Sequence, residues 1–205
     1  MFPKRRRKLL TKLKEKFQLL ITSEAKMAHK IGLTPNHVSA IGIILAICSA
    51  LAYWKWQTNQ LLLIVAPSLL LVSGFCDALD GAIARLYGET TTFGGFLDSL
   101  LDRYADAVVF LGIIIGGLCD LFWGLMALVG SLLVSYARAR AEATGVKMEA
   151  VGVAERAERL IILTIASFLG IVWLETLNFG IILLAILSNL TVLQRVVYFY
   201  KASKK

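Results

Sequence analysis

Long apolar stretches without a charged residue recur along the chain and alternate with short charged segments. Five of these stretches contain 15 to 24 residues each, and they cover residues 31–54, 56–76, 121–137, 160–174 and 176–194. A helix needs about 20 mainly apolar residues to cross the hydrocarbon core of a membrane. A sixth apolar stretch, 95–119, is long enough but contains Asp98, Asp102, Arg103 and Asp106. The pattern predicts an all-α integral membrane protein with six transmembrane helices.

The composition agrees with this class. Hydrophobic residues make up 58% of the 205 residues, charged residues make up 18%, and the mean hydropathy is +0.72. Ordinary soluble domains contain roughly 45–50% apolar residues. The net charge of +8 therefore does not indicate a nucleic-acid-binding domain, and we expect no nucleic-acid partner. The three scattered cysteines exclude a disulfide framework and a thiolate metal site.

The basic residues lie almost entirely on one side of the predicted bundle. With six spans, both termini share that side with the loop near Gly88 and with segment 141–155, and only Lys55 of the 22 Lys and Arg residues falls on the other side. The positive-inside rule makes the basic side cytoplasmic. Four tryptophans at the outer helix ends fit an interfacial belt: Trp54, Trp56, Trp123 and Trp173. We expect a multi-pass protein of the cell membrane with both termini in the cytoplasm.

Residues 1–30 form a separate basic segment before the first predicted span. Ten of the 22 Lys and Arg residues lie in it, beside an apolar stripe at helical spacing that consists of Leu9, Leu10, Leu13, Phe17, Leu20 and Ile21. Basic amphipathic helices of this kind lie in the headgroup plane and contact membrane lipids. We therefore expect residues 1–30 to form a juxtamembrane helix and residues 31–205 to form the six-helix transmembrane domain.

Four aspartates occur as two pairs, at the end of the second predicted span and at the start of the third. Asp77 and Asp80 are three residues apart, and Asp98 and Asp102 are four apart, so each pair shares one helix face. A short loop brings the pairs together at the cytoplasmic boundary, where they would repel one another unless a cation lay between them. Oxygen ligands at this density suit Mg²⁺ or Mn²⁺, and they suffice for two ions. The alternative is a structural ion-pair network with Arg85 and Arg103.

Small residues and a fifth acid accompany these pairs. Gly81, Ala84, Gly94 and Gly95 flank the acidic faces, where they either admit a bulky ligand to the helix backbone or serve helix packing. Asp106 lies one turn deeper than Asp102 on the same face. We expect Asp106 to support the site or to pair with Arg103, and not to bind metal directly.

The aspartate motif resembles the signature of the CDP-alcohol phosphotransferase family. It reads Asp77-x2-Asp80-Gly81-x2-Ala84-Arg85-x8-Gly94-x3-Asp98-x3-Asp102. The resemblance implies an enzyme that transfers a substituted phosphate from a CDP-alcohol to a second alcohol and releases CMP. It also implies a surface helix, a catalytic domain of six spans and a homodimer.

The same resemblance assigns roles to particular residues. Asp77, Asp80, Asp98 and Asp102 would be the ligands of a two-metal centre, and Asp102 would also be the catalytic base. The residues implied to bind the CDP-lipid are Thr34, Pro35, Asn36, His37, Gly81, Arg85 and Thr91. Thr34 followed by proline is also a good helix start.

Segments 135–142 and 152–160 are similar to the inositol-phosphate-using branch of the family, which makes phosphatidylinositol phosphate or archaetidylinositol phosphate. This similarity implies a CDP-archaeol or CDP-diacylglycerol donor and an inositol phosphate acceptor. Four arginines would bind the acceptor phosphate: Arg138, Arg140, Arg156 and Arg159. Arg156 and Arg159 are three apart and share a helix face, whereas Arg138 and Arg140 do not. We therefore expect Arg156 and Arg159 to act together with one of the other two.

Three other functions fit parts of the pattern. A family member that uses glycerol phosphate would share the aspartate motif and differ in the acceptor. A membrane prenyltransferase also uses paired acidic motifs, but it usually has more helices and a repeated motif. A small cation transporter would use the acids as an ion path, but transporters usually show inverted repeats and broken helices at the midplane.

Overall fold

The computed structural model describes residues 20–148 and 151–204, and all regular structure within these ranges is helical. The predicted surface helix therefore lies mostly outside the described residues, since only residues 20–30 of it are included. A short 3₁₀ turn, Trp56–Thr58, follows the second helix. The helices are α1 (20–30), α2 (Pro35–Lys55), α3 (Leu62–Tyr87), α4 (Thr92–Ile115), α5 (Leu121–Glu142), α6 (Arg156–Gly170) and α7 (Glu175–Ala202).

Helices α2 to α7 pack as a closed ring. The main contacts run from α2 to α3, then to α6, α7, α5 and α4, and α4 contacts α2 again. Consecutive helices are joined by short turns, except that α5 and α6 are separated by a longer segment over residues 143–155. The ring places the ends of α3, α5 and α7 on the same side as the starts of α2, α4 and α6.

Four of these helices are long and apolar enough to cross a membrane: α2, α3, α5 and α7. Helix α4 has the length, with 24 residues, but it carries the four charged residues noted above. Helix α6 has only 15 residues. The membrane class is therefore confirmed in its coarse form, and the crossing of the membrane by α4 and α6 stays a prediction.

Helix α2 begins as the sequence predicts. The Thr34 hydroxyl accepts a hydrogen bond from the backbone N–H of His37, and Pro35 occupies the first helical turn. His37 completes a capping box, because its Nδ1 accepts from the backbone N–H of Thr34 at 3.5 Å. The caps fix where α2 starts relative to the neighbouring helices.

Helices α2 and α4 approach one another closely at two glycines. A methyl group added at Gly112 would lie 2.3 Å from the carbonyl oxygen of Ala50, and one at Gly116 would lie 2.4 Å from that of Tyr53. The Trp56 indole also donates to the carbonyl of Gly116, over 2.8 Å. Only glycine permits this approach, so these two positions set the distance between the helices.

The described part of α1 packs against the end of α3. Ile21, Ala25 and Ala28 are buried, and they join a cluster with Ala82 and Ile83 of α3. Further along α1, His29 stacks on Tyr87, with ring centroids 3.5 Å apart. Residues 20–30 are thus held on the protein itself, through one apolar face.

The close approach of α2 and α4 gives a testable prediction. Gly112→Ala should lower the stability of the purified protein in detergent by about 1–3 kcal/mol, because the added methyl group overlaps the backbone of Ala50. Thermal unfolding measures this loss.

Gly95→Ala is the matched control, because it lies in the same helix and an added methyl group there meets no atom within 4 Å. Its unfolding temperature should be unchanged or slightly higher, since alanine favours the helix. Equal unfolding temperatures for both variants would contradict the close approach.

Candidate active site

Three carboxylates from two helices meet at the end of the ring where α3 ends and α4 begins. The chain leaves α3 through Gly88, which has a φ of +67°, and it enters α4 at Thr91. The Thr91 hydroxyl accepts a hydrogen bond from the backbone N–H of Gly94 over 2.9 Å. One carboxylate oxygen each from Asp77, Asp98 and Asp102 lies within 4.8 Å of the other two. We call these three residues the aspartate group.

The fourth predicted ligand, Asp80, lies beside the aspartate group but is not part of it. Its side chain is buried, and its Oδ2 accepts a hydrogen bond of 2.5 Å from the hydroxyl of Ser39 in α2. The Ser39 oxygen also lies 3.1 Å from the carbonyl oxygen of Pro35, the longer of the two contacts. A hydroxyl of α2 thus orients a carboxylate of α3.

Arg156, at the start of α6, supplies positive charge to the aspartate group. Its Nη1 lies 2.5 Å from Asp77 Oδ2 and 2.9 Å from Asp102 Oδ1. The expectation that a cation lies between the acids is met here by a guanidinium, which offsets the repulsion between the carboxylates. The ion-pair network with Arg85 and Arg103, given above as the alternative to a metal site, is not the arrangement around these carboxylates. Arg103 approaches Asp102 only to 3.7 Å, and Arg85 lies against Gly81.

Asp106 is held by α5 and α6. Its Oδ2 lies 3.0 Å from Arg159 Nη2 and accepts a hydrogen bond of 3.2 Å from the Ser131 hydroxyl, and its Oδ1 lies 3.5 Å from Arg156 Nε. Within the described ranges no hydrogen bond or ion pair joins Asp106 to Arg103. Of the two roles expected for Asp106, pairing with Arg103 is not found, because Arg159 and Arg156 face Asp106 from α6, and support of the site stays a prediction.

The predicted acceptor arginines separate into different surroundings. Arg159 is buried, and Arg138 is partly exposed with its Nε 2.9 Å from Glu142 Oε1. Arg140 lines an apolar groove between α5 and α7 that contains none of the aspartates. The structure thus brings Arg156 and Arg159 to the acids, and it places Arg140 elsewhere.

Sequence reasoning missed Arg195, which organises the segment between α5 and α6. It is only 2% exposed and donates to the carbonyls of Val134 and Val151. Beside it, the Thr191 hydroxyl accepts from the backbone N–H of Ala154, and Gly152 lies against Thr191 with a φ of +123°. Arg195 lies just beyond the uncharged run 176–194, so the sequence gives no local signal that it is buried.

A cavity of about 440 Å³ opens beside Asp80 and Asp98, and we call it the larger cavity. The N-terminal ends of α2 and α4 both border it, and helix N-termini favour anionic groups. Its lining contains six of the seven residues predicted to bind the CDP-lipid: Thr34, Pro35, Asn36, Gly81, Arg85 and Thr91. The structure thus brings these six residues together around one cavity, and their binding of a CDP-lipid stays a prediction.

His37, the seventh residue, is not among the described lining residues of the larger cavity. Its imidazole is turned back toward Thr34 to complete the cap of α2. Contact of His37 with the CDP-lipid stays a prediction, and the structure adds that its imidazole helps to fix Thr34. Ser39, which the sequence did not single out, lines the cavity instead.

The aspartate group fits a divalent cation. It borders a small cavity of about 20 Å³, which is also lined by Asp80 and Arg156. A space of this size holds one water-sized occupant, since about 10–15 Å³ is enough for a water molecule. Three carboxylates from α3 and α4 are ligands of the type that Mg²⁺ and Mn²⁺ prefer.

The sequence model of the CDP-alcohol phosphatidyltransferase family matches residues 32–197, a range that contains all the site residues described above. The chain belongs to this family. As a CDP-alcohol phosphatidyltransferase it is an enzyme, and the resemblance carried by the Asp77–Asp102 motif is confirmed.

Individual relatives support the same branch. An archaetidylinositol phosphate synthase of Pyrococcus horikoshii is 41% identical over 197 residues, which cover 96% of this chain and 98% of the relative. The crystal structure of the Mycobacterium tuberculosis phosphatidylinositol phosphate synthase with CDP-DAG bound is 32% identical with a TM-score of 0.76, covering 88% of this chain and 93% of that one. The same synthase in complex with manganese and citrate also gives a TM-score of 0.76, at 32% identity and with 88% of each chain covered. Together with the aspartate group, the manganese complex indicates that this phosphatidyltransferase uses a divalent metal ion.

The metal site can be tested by direct titration with Mn²⁺. Asp98→Asn should weaken Mn²⁺ binding at least tenfold, because it removes one of three charged ligands, and changes even in residues that only support ligands cost about 10–100-fold. Electron paramagnetic resonance of free Mn²⁺ measures the affinity.

Asp120→Asn is the control, because Asp120 accepts from Asn178 at the other end of the ring. Equal loss of Mn²⁺ binding in the two variants would show that the ion does not bind at the aspartate group.

Proposed function

We propose that this phosphatidyltransferase transfers the lipid-phosphate group of a CDP-lipid, CDP-archaeol or CDP-diacylglycerol, to an inositol phosphate and releases CMP. One observation carries the proposal. The aspartate group borders the larger cavity through Asp98 and contacts Arg156 of α6, which lies one turn from the buried Arg159. A donor diphosphate and an acceptor phosphate can therefore meet at the same carboxylates. The 41% identity to an archaetidylinositol phosphate synthase supports the choice of acceptor.

The CDP group of the donor binds in the larger cavity. The N-terminal ends of α2 and α4, capped by Thr34 and Thr91, present backbone N–H groups to the diphosphate. Arg85 adds a guanidinium from α3, and Gly81 leaves room for it, because the position of a missing Cβ there lies 3.1 Å from Arg85 Nη1. Asn36 and Pro35 complete the wall on the α2 side.

Asp77, Asp98 and Asp102, with Asp80 beside them, would hold Mg²⁺ or Mn²⁺. We propose two ions, because the small cavity has room for one and Asp80 and Asp98 also line the larger cavity, where a second would lie. Bound there, the metal neutralises charge on the diphosphate and on the departing CMP. Ser39 keeps Asp80 in place through its hydrogen bond, so the chain preorganises the ligands before the substrate arrives.

The reaction is a direct displacement at the phosphorus that carries the lipid. A hydroxyl oxygen of inositol phosphate bonds to this phosphorus, the bond from phosphorus to CMP breaks, and CMP leaves with the electron pair. Asp102 takes the hydroxyl proton, and two guanidinium groups orient its carboxylate, since Oδ1 lies 2.9 Å from Arg156 and Oδ2 lies 3.7 Å from Arg103. No covalent intermediate with the protein is required.

The acceptor phosphate is bound by arginines at the cytoplasmic ends of α5, α6 and α7. Arg195 interacts electrostatically with Arg138 and Arg159, while Glu142 and Glu155 balance part of the charge through ion pairs with Arg138 and Arg195. Guanidinium groups bind phosphate through paired hydrogen bonds, so this cluster offers donors to an acceptor phosphate. Arg156 lies between this cluster and the aspartates, and it directs the acceptor hydroxyl toward Asp102.

In the membrane, we propose that all six helices of the ring cross the bilayer, with the aspartates and both termini on the cytoplasmic side of the cell membrane. The charges of α4 and α6 are compatible with this arrangement because they pair with one another inside the ring, as Asp106 does with Arg159. We further propose that the enzyme is a homodimer.

The base assignment predicts a specific kinetic effect. Asp102→Asn should reduce turnover by about 10²–10⁴-fold, since general-base catalysis contributes that much, while CDP-lipid binding falls little. Steady-state rates of CMP release and a CDP-lipid binding isotherm separate the two effects. By comparison, Asp77→Asn should weaken metal and nucleotide binding together. Near-normal turnover of Asp102→Asn at saturating Mg²⁺ would exclude Asp102 as the base.

The acceptor can be identified with a panel of alcohols and a single CDP-lipid. Inositol phosphate should be used in preference to glycerol 3-phosphate and free inositol. Arg138→Gln should raise its KM about tenfold or more, with a smaller change in kcat, because a charged hydrogen bond to phosphate is lost.

Lys147→Gln removes an equal charge from the same side of the protein and should leave the KM unchanged. If glycerol 3-phosphate is the better acceptor, the enzyme is the glycerol-phosphate-using alternative and the acceptor proposal is wrong.

A further inference from the structure

A groove between α5 and α7 contains none of the aspartates and shares Arg195 with the acceptor cluster described above. Its volume is about 520 Å³. Leu133 and Ala137 of α5 face Val196 and Phe199 of α7 across it. The groove runs along the parts of α5 and α7 that end on the basic side of the protein. Its walls therefore match a hydrocarbon chain.

The cytoplasmic end of the groove is polar and basic. Arg140 and Ser203 line it, and the ammonium group of Lys204 lies 4.4 Å from the ring centroid of Tyr200, another lining residue. Over the described parts of the chain, the Arg140 side chain has no hydrogen bond or ion pair. Two positive charges and a hydroxyl thus surround the point where an apolar groove reaches the membrane surface.

We propose that this groove binds one anionic phospholipid of the cytoplasmic leaflet. A lipid chain lies between Leu133 and Val196. The lipid phosphate accepts hydrogen bonds from Arg140 and is attracted by the ammonium group of Lys204. Basic pockets between transmembrane helices on the cytoplasmic side are a known mode of binding anionic headgroups. Arg140 then recognises a membrane lipid and not the soluble acceptor.

Charge distinguishes this occupant from a second copy of the chain. In a two-fold dimer the same surface meets itself, so this face would bring the basic ends of two grooves together. The like charges of Arg140 and Lys204 would then repel one another. A soluble phosphate would satisfy Arg140 but would leave the apolar walls uncovered. An anionic lipid satisfies both.

Lipid binding to the purified full-length enzyme in a neutral detergent tests the proposal. Phosphatidylglycerol should bind and raise the unfolding temperature, and phosphatidylcholine with identical chains should not. Native mass spectrometry gives the stoichiometry, with one phosphatidylglycerol per chain expected at this groove. Arg140→Gln should weaken phosphatidylglycerol binding about tenfold, since one charged hydrogen-bond donor to phosphate is lost.

Two further variants sharpen the result. Lys147→Gln, which removes an exposed charge outside the groove, should bind phosphatidylglycerol as the unchanged protein does. Val196→Trp should weaken lipid binding with Arg140 intact, because Val196 is 58% exposed and a larger side chain there fills the groove without disturbing the interior.

Four results would overturn the proposal. Unchanged phosphatidylglycerol binding in Arg140→Gln, or equal binding of phosphatidylcholine, would show that the charge of Arg140 does not select an anionic lipid. If soluble inositol phosphate displaces the lipid and Arg140→Gln raises the KM for inositol phosphate, Arg140 binds the acceptor and not a membrane lipid. Dissociation of a dimer by Val196→Trp would make the groove an interface between two copies.

Discussion

The pairing of partly buried carboxylates with the guanidinium groups of α6 is the interaction on which this structure depends. Charges are costly inside an apolar bundle unless they are paired and hydrogen-bonded. The acids come from α3 and α4, while Arg156 and Arg159, which contact them, come from the first turns of α6. The charges that make the site chemically useful therefore also join three helices. An apolar core alone would not specify which faces of these helices meet.

Helix α6 shows how far this dependence extends. It is the shortest helix of the ring, and its start is set by the segment from α5, which is fastened to α7 by Arg195 and Thr191. Gly152 lies so close to Thr191 that a side chain there would overlap it, and its φ is positive. The position of Arg156 at the aspartates is thus determined partly by contacts on α7, outside the site itself.

The sequence predicts the parts of the site that local rules control. Residues three or four apart share a helix face, and a short loop joins the two helices, so spacing alone brings Asp77, Asp98 and Asp102 together. The start of α2 at Thr34 follows from capping chemistry. The larger cavity also matches the motif, because its lining comes from helix ends and one helix face.

Contacts between distant helices cannot be predicted in the same way. The pairing of Arg156 with Asp77 depends on how α6 is rotated against α3, and spacing along α6 does not determine that rotation. Arg195 lies just beyond an uncharged run, where a charged residue ordinarily marks the end of a span, so its burial has no local signal. The neighbours of His37 in the sequence indicate the nucleotide site, while its imidazole serves the helix cap.

Asp80 and Asp98 each border both the small cavity and the larger one. Occupants of the two spaces therefore share a wall of two carboxylates, and neither can bind without changing the electric field at the other. Thermodynamic linkage then makes their effects reciprocal. A bound cation raises the affinity for an anionic ligand by the same factor by which that ligand raises the affinity for the cation. Affinity for either occupant, measured alone, understates how firmly the two are held together.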